Sequence, residues 1–259
     1  MKLFIFIFVS IIGFCSFAEP LEDNSFLVEE AYNQEPGVVQ FIQVYQKDVK
    51  TKNWDYVFIN EIPILDESNQ FSYELPLGYD EVLESSQIRD IKLNYRREFF
   101  RNNQIVATGR ISLVLPTGKY EDGFGLGALG VEGSLITSIK INQNWSQHWN
   151  IGYSTTPGAK NSTKDKADVS RYFYALSNIY FFTDTLNFLV EIVGSQSEEV
   201  ISQDTKNWQH DMILSPGFRT AFDVGNWQFV PGIAYPIGLG PIAGQNQILG
   251  YLSIEGKVF

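Results

Sequence analysis

The sequence predicts an all-β protein, an antiparallel transmembrane β-barrel of about twelve strands. Three observations predict it: a side-chain period of two through most of the chain, connections that alternate between short and long, and tryptophans gathered at strand boundaries.

A leader comes first. Lys2 is followed by an apolar run from Leu3 to Ile12 and then by Gly13, Phe14, Cys15, Ser16, Phe17 and Ala18, with Glu19 and Pro20 behind, which is the layout of a secretory signal peptide. The small side chains of Ser16 and Ala18 place the cut after Ala18. The run is short for an uncleaved membrane anchor. Phe14 is bulky where a lipoprotein needs a small residue before the acceptor cysteine. Residues 1–18 therefore read as the signal peptide, 19–36 as a periplasmic N-terminal segment and 37–259 as the barrel.

The segment at 19–36 carries Glu19, Glu22, Asp23, Glu29, Glu30 and Glu35, and Phe26, Leu27, Glu30 and Ala31 could form a helical stripe. Two readings stand: a plug or short helix packed against the periplasmic mouth, or a mobile acidic tail.

The period of two then takes over. Phe71, Tyr73, Leu75, Leu77 and Tyr79 alternate with Ser72, Glu74, Pro76 and Gly78. Ile91, Leu93, Tyr95 and Phe99 oppose Asp90, Lys92, Asn94, Arg96 and Glu98, with Arg97 the only charge on the apolar side, near a strand end where it can snorkel. Further strands carry Ile105 to Leu115, Val131 to Ile141, Leu186 to Ile192, Met212 to Phe222 and Ile248 to Val258. Weaker alternation marks Val38 to Lys47, Trp54 to Ile64, Trp149 to Pro157, Tyr172 to Phe182 and Trp227 to Ile237.

Short connections fall at Glu67 to Asn69, Arg101 to Asn103, Thr183 to Thr185 and Gly225 to Asn226, with Asn142 to His148 somewhat longer. Long ones fall between them, at Tyr79 to Gln87, Lys119 to Gly130, Gly158 to Asp168, Ser197 to Asn207 and Gly238 to Gln247, while Asp48 to Asn53 is modest. Short periplasmic turns and long extracellular loops are the rule of outer-membrane barrels, and this parity puts both termini in the periplasm. Trp54, Trp145, Trp149, Trp208 and Trp227 sit at or beside strand boundaries, as in an interfacial girdle. A soluble sandwich also alternates, but its loops would be of similar length at both ends.

In a membrane barrel the polar face lines the lumen, because a lysine or arginine at the bilayer midplane costs about 2–4 kcal/mol. The candidate lumen-lining residues are Glu74, Asp90, Lys92, Arg96, Glu98, Arg110, Glu132, Lys140, Glu191, Asp211, Arg219 and Glu255, with Glu61 and Lys257 in the same phase. Acids and bases are nearly balanced there, which fits cross-barrel ion pairs around a narrow channel at least as well as an ion-selective pore.

Composition excludes several classes. The 259 residues carry a net charge of −11, which argues against a nucleic-acid partner. Cys15 is the single cysteine and lies inside the leader, so no disulfide scaffold, cysteine zinc site or thiolate nucleophile is expected. Gly125 to Gly130 spells G-x-G-x-x-G, yet a strand follows it where a dinucleotide site needs a helix, so its glycines read as a tight loop. The two histidines, His148 in a turn and His210 near a strand end on the lipid side, have no partner histidine at metal-ligand spacing. Neither His210 with Ser215 nor His148 with Ser146 puts serine and histidine on one outward strand face, so neither enzyme, cofactor nor metal is expected.

FLVEEAYNQEPGVV (Phe26 to Val39) resembles the start of the outer-membrane proteins of the MetA-pathway phenol-degradation family. LVLPTGKYEDGFGLGALG (Leu113 to Gly130), LSPGFR (Leu214 to Arg219) and FVPGIAYPIG (Phe229 to Gly238) are similar to further segments of it. The resemblance implies an outer-membrane barrel described as a transporter, in some cases tied to aromatic-compound catabolism, and carries no catalytic residues over. One departure is Phe259, a terminal aromatic in the phase of Glu255 and Lys257 and opposite to Ile254 and Val258, where the assembly machinery reads an aromatic on the apolar face.

The expectation is an outer-membrane channel or transporter for small solutes, apolar or aromatic ones among them, in a Gram-negative cell. Expected partners are outer-membrane lipid and lipopolysaccharide, the barrel-assembly machinery and the solute. The rivals are a closed structural or surface-interaction barrel and, less favoured, a lipase-type outer-membrane enzyme.

Overall fold

The computed structural model describes residues 25–258. The leader, the acids of residues 19–23 and Phe259 lie outside the described residues. The strands are Val38–Asp48 (β1), Trp54–Pro63 (β2), Asn69–Asp80 (β3), Ser85–Ile88 (β4), Ile91–Arg101 (β5), Ile105–Leu115 (β6), Gly130–Asn142 (β7), Trp145–Lys160 (β8), Lys166–Phe181 (β9), Leu186–Ser202 (β10), Thr205–Thr220 (β11), Phe222–Val224 (β12), Trp227–Ala234 (β13), Ile237–Leu239 (β14) and Gln247–Lys257 (β15). Twelve of them pair antiparallel in chain order into a closed barrel, β15 returning to β1. The short β4, β12 and β14 are side extensions of β3, β13 and β11.

Which residues form strands follows from which face each side chain must take. Ile111 and Ser112 are chain neighbours on β6, and the isoleucine is 62% exposed while the serine is fully buried. The same inversion holds for Phe218 and Arg219 on β11. A water-soluble sandwich buries its isoleucines and phenylalanines, whereas here they face outward and the polar residues face in, as lipid requires. Aromatic rings tile the outer surface: Tyr45 packs tilted on Trp54, which stacks on Tyr79, across β1, β2 and β3, and Tyr153 packs tilted on Tyr172, which stacks on Trp208, across β8, β9 and β11. Toward the opposite rim, Phe41 stacks with Trp227, and Phe222 with Phe229.

The turns at one end are tight because polar side chains close them locally. Asp66 accepts from the backbone and hydroxyl of Ser68 and from Asn69, and Asn102 accepts from the amides of Gln104 and Ile105. The other end differs from expectation in two places. Gly158 to Asp168 and Ser197 to Asn207 are mostly strand, with loops only at 161–165 and 203–204. The alternation continues there because Ala159, Ala167, Val169 and Val200 bury one another in a separate apolar cluster, so the excess chain at this rim rises as tall hairpins. Trp208 consequently lies within β11, while Trp54, Trp145 and Trp227 open their strands. His148 is on β8, its turn reduced to residues 143–144.

A closed ladder of this kind resists detergent until heated. On SDS gels the unboiled protein is expected to migrate differently from the boiled one; one band under both conditions, with the protein soluble in the periplasmic fraction, would contradict the barrel.

Candidate functional site

The lumen is where the described residues place their buried polar groups, and one segment organises them. Residues 25–36 run through the barrel interior as a bent, irregular segment, without the helix that the Phe26, Leu27, Glu30 and Ala31 stripe suggested. A helix would satisfy those backbone groups internally; here the wall does so instead. The amides of Leu27 and Val28 donate to Glu191 Oε1 at 2.9 and 3.2 Å. The Glu29 amide donates to Asn150 Oδ1, and Asn150 Nδ2 donates back to the Glu29 carbonyl, both at 2.8 Å. Ala31 donates to Ser138 Oγ at 2.8 Å and accepts from Thr108 Oγ1 at 2.5 Å. Arg96 reaches the carbonyls of Glu30 and Tyr32, and the Gln34 amide meets Gln70 Oε1. Ser25 Oγ donates to Ser177 Oγ at 2.7 Å. This strap thus takes its partners from β3, β5, β6, β7, β8, β9 and β10 before the chain enters β1.

Its apolar anchor is Phe26, which packs edge-on to Tyr251 at 5.4 Å between ring centroids. The ring occupies a socket opened by Gly217 on β11 and Gly232 on β13, and a Cβ on either glycine would overlap it. Ile42, Leu189, Val230 and Leu249 complete the cluster, so a small apolar core lies inside the lumen itself.

The charged side chains group around this strap. Arg110, almost fully buried, holds the Glu29 carboxylate on one side and Glu132 Oε1 at 2.6 Å on the other, with Glu74 at 3.9 Å. Lys92 Nζ approaches Glu132 at 3.3 Å, and Asn94 Nδ2 donates to Glu74 at 3.0 Å. Arg96 pairs with Glu61 at 3.6 Å. Across the lumen, Glu191 receives the strap and Arg219 Nε donates to Asn187 Oδ1 at 3.1 Å. Paired in this way, the charges lower the cost of their own burial.

The remaining expected lumen residues lie elsewhere. Glu98 pairs with Arg101 at the short-turn rim. Lys140 and Asp211 are exposed, toward opposite ends of the barrel, and Glu255 is half-buried on β15. Asp90 corrects the expectation most. It sits in the connection between β4 and β5, and its carboxylate accepts the amides of Gly118 at 2.9 Å and Leu126 at 2.8 Å, pinning the loop between β6 and β7. Burial pushes this carboxyl above its ordinary range, against the pull of those amides. Gly125 leaves room for Asp90 and the Gly118 carbonyl, and Gly127 takes a φ of 62° beneath the Tyr120 ring, which accounts for the glycines of the G-x-G-x-x-G stretch without a phosphate.

Sequence reasoning missed the uncharged half of this site. Gln40, Gln70, Thr108, Ser138, Asn150 and Ser177 carry the strap or its neighbours, and their signal was only a polar residue in the inward phase. It also missed Ser138 beside His148, whose Nδ1 lies 2.7 Å from the Ser138 Oγ. That hydroxyl also receives the Ala31 amide, so the pair serves as a strut beneath the strap.

No family model matches the sequence, and no curated protein matches it. Solved structures with a similar fold include an outer-membrane channel from Pseudomonas putida F1, with a TM-score of 0.67 at 12% identity over 87% of this chain and 97% of that one. The NanC porin gives 0.57 at 6% identity over 84% and 100% of the two chains, and the KdgM porin 0.53 at 8% over 85% and 99%. At these identities the likeness is one of fold, that of outer-membrane barrel channels.

Two outcomes follow for the strap and its network. Gly232→Ala is expected to displace Phe26 and expose the bonds after Glu29 and Glu30 to Glu-C protease in the unboiled barrel, and Phe26→Ala to do the same, with no added effect in the double variant. Arg110→Met leaves Glu29, Glu74 and Glu132 without their shared cation and should cost about 3–5 kcal/mol in urea unfolding, part of it recovered by adding Glu132→Gln.

Proposed function

We propose that this protein is a passive outer-membrane channel for small solutes, and that the strap at residues 25–36 is its plug. The observation that carries the reading is the inside-out wall, apolar toward lipid and polar within, enclosing a chamber of about 250 Å³ bounded by the strap. Fold likeness to outer-membrane channels and porins supports it. The near-balanced charges pair with one another around the strap, which favours a narrow, neutral passage over a strongly ion-selective one.

The finer parts of the proposal rest on sequence. Membership of the phenol-degradation outer-membrane family is supported by the stretches from Phe26 to Val39 and Leu113 to Gly130. Delivery to a Gram-negative outer membrane is supported by the leader ending at Ala18. There the wall meets lipid and lipopolysaccharide after insertion by the barrel-assembly machinery.

A second reading, a closed structural or surface-interaction barrel, is favoured by the number of wall partners that the strap engages and by the tall hairpins of β8 to β11. Planar-bilayer recording separates the two. The intact protein is expected to give small currents, and deletion of residues 25–34, with folding checked by heat-dependent gel mobility, to raise them several-fold. Folded protein that passes no current with or without the strap would support the closed barrel and overturn the channel.

A further inference from the structure

The chamber beside the strap has two chemically distinct stretches of wall. Ile42 and Val44 on β1 and Val57 and Ile59 on β2 make one of them an apolar patch, bordered on the same strands by Gln46 and Glu61, an unusual surface for the inside of a membrane barrel. Next to them along the same curved wall, Glu74 on β3, the ladder partner of Ile59, with Lys92 and Asn94 on β5 and Arg110 on β6, make the other polar. Residues 25–29 of the strap close one side.

The cations of the polar wall are already engaged. Arg110 holds Glu29 and Glu132, and Lys92 leans on Glu132. Glu74 differs: it accepts one hydrogen bond from Asn94 and stands 3.9 Å from Arg110, so its carboxylate has acceptor capacity left for a donor inside the chamber. A cavity of about 150 Å³ holds a benzene ring. The 250 Å³ found here therefore takes a single six-membered ring together with a head group.

We propose that this chamber is a binding site for a small amphipathic solute, with its apolar body against Ile42, Val44, Val57 and Ile59 and its hydroxyl or ammonium head donating to Glu74. A carboxylate head is disfavoured, because it would meet Glu74 while Lys92 and Arg110 are held by other acids. The inference deepens the channel reading and rests on it only for the route by which the solute arrives.

Three probes with one body and different heads test this: cyclohexylmethylamine, cyclohexylmethanol and cyclohexanecarboxylate, titrated calorimetrically into the folded protein in maltoside detergent. The amine and the alcohol are expected to saturate at one site, with the carboxylate at least about tenfold weaker. Glu74→Gln should bring the amine down to the affinity of the alcohol. Val57→Trp, or Val44→Phe should the first fail the gel-mobility check, should abolish binding of both by filling the apolar side. A carboxylate that binds as well as the amine, an amine indifferent to Glu74→Gln, or the absence of saturation by any probe would overturn the proposal. Conductance measured on the same preparation keeps the two readings apart: binding without current removes the channel and leaves the site, while current without saturable binding removes the site and leaves the channel.

Discussion

The rest of the structure depends on one constraint, that no backbone N–H or C=O may be left facing hydrocarbon. Strands can meet it only by pairing on both sides, which forces the sheet to close, and closure forces the apolar faces outward. The polar faces then converge in the lumen, where the strap and the wall bury them against one another and each buried donor needs an acceptor. Arg96, Arg110 and Arg219 would be costly there if alone, and each has its charge or its donors met by a neighbouring strand or by the strap.

The strap answers the same constraint from the other direction. A non-helical segment inside a membrane barrel exposes its own amides and carbonyls, and it persists only where the wall offers matched partners. Serine, threonine, asparagine and glutamine supply most of them, at Ser138, Thr108, Asn150 and Gln70. Charged groups alone would fix the strap by long-range attraction; the short neutral side chains fix its register, since each reaches the backbone of a single strap residue.

Strand number and the inward or outward sense of most side chains were legible in the sequence because the period of two is a local property that lipid enforces at nearly every position. Four of the five strands with weak alternation are instructive. Val38 to Lys47, Trp54 to Ile64, Tyr172 to Phe182 and Trp227 to Ile237 include Ile42, Val44, Val57, Ile59, Ile179 and Val230, apolar residues in the inward phase. Their blurred pattern was the trace of the apolar core and of the chamber, and it reads as noise until the strap supplies Phe26 as the partner. What periodicity could not give was the path of residues 25–36, which is set by side chains more than a hundred positions away, such as Asn150 and Glu191. Asp90 was misplaced for a related reason: a charge in the right phase beside a strand looks the same whether it faces the lumen or ties down a loop.

The seam on this side of β11 is interrupted, pairing with β13 from Gly217 to Arg219 and with β14 from Met212 to Leu214, whereas β1 and β15 pair along all of Val38 to Asp48. Phe26 sits over this thin seam, touching a glycine on each of its two strands. The strap and the wall are therefore thermodynamically linked: the ring that anchors the strap in the lumen also packs across an interrupted joint of the cylinder. Unseating Phe26 would disturb the wall as well as the strap, so the free energy that holds the strap is shared with the free energy that keeps the barrel round.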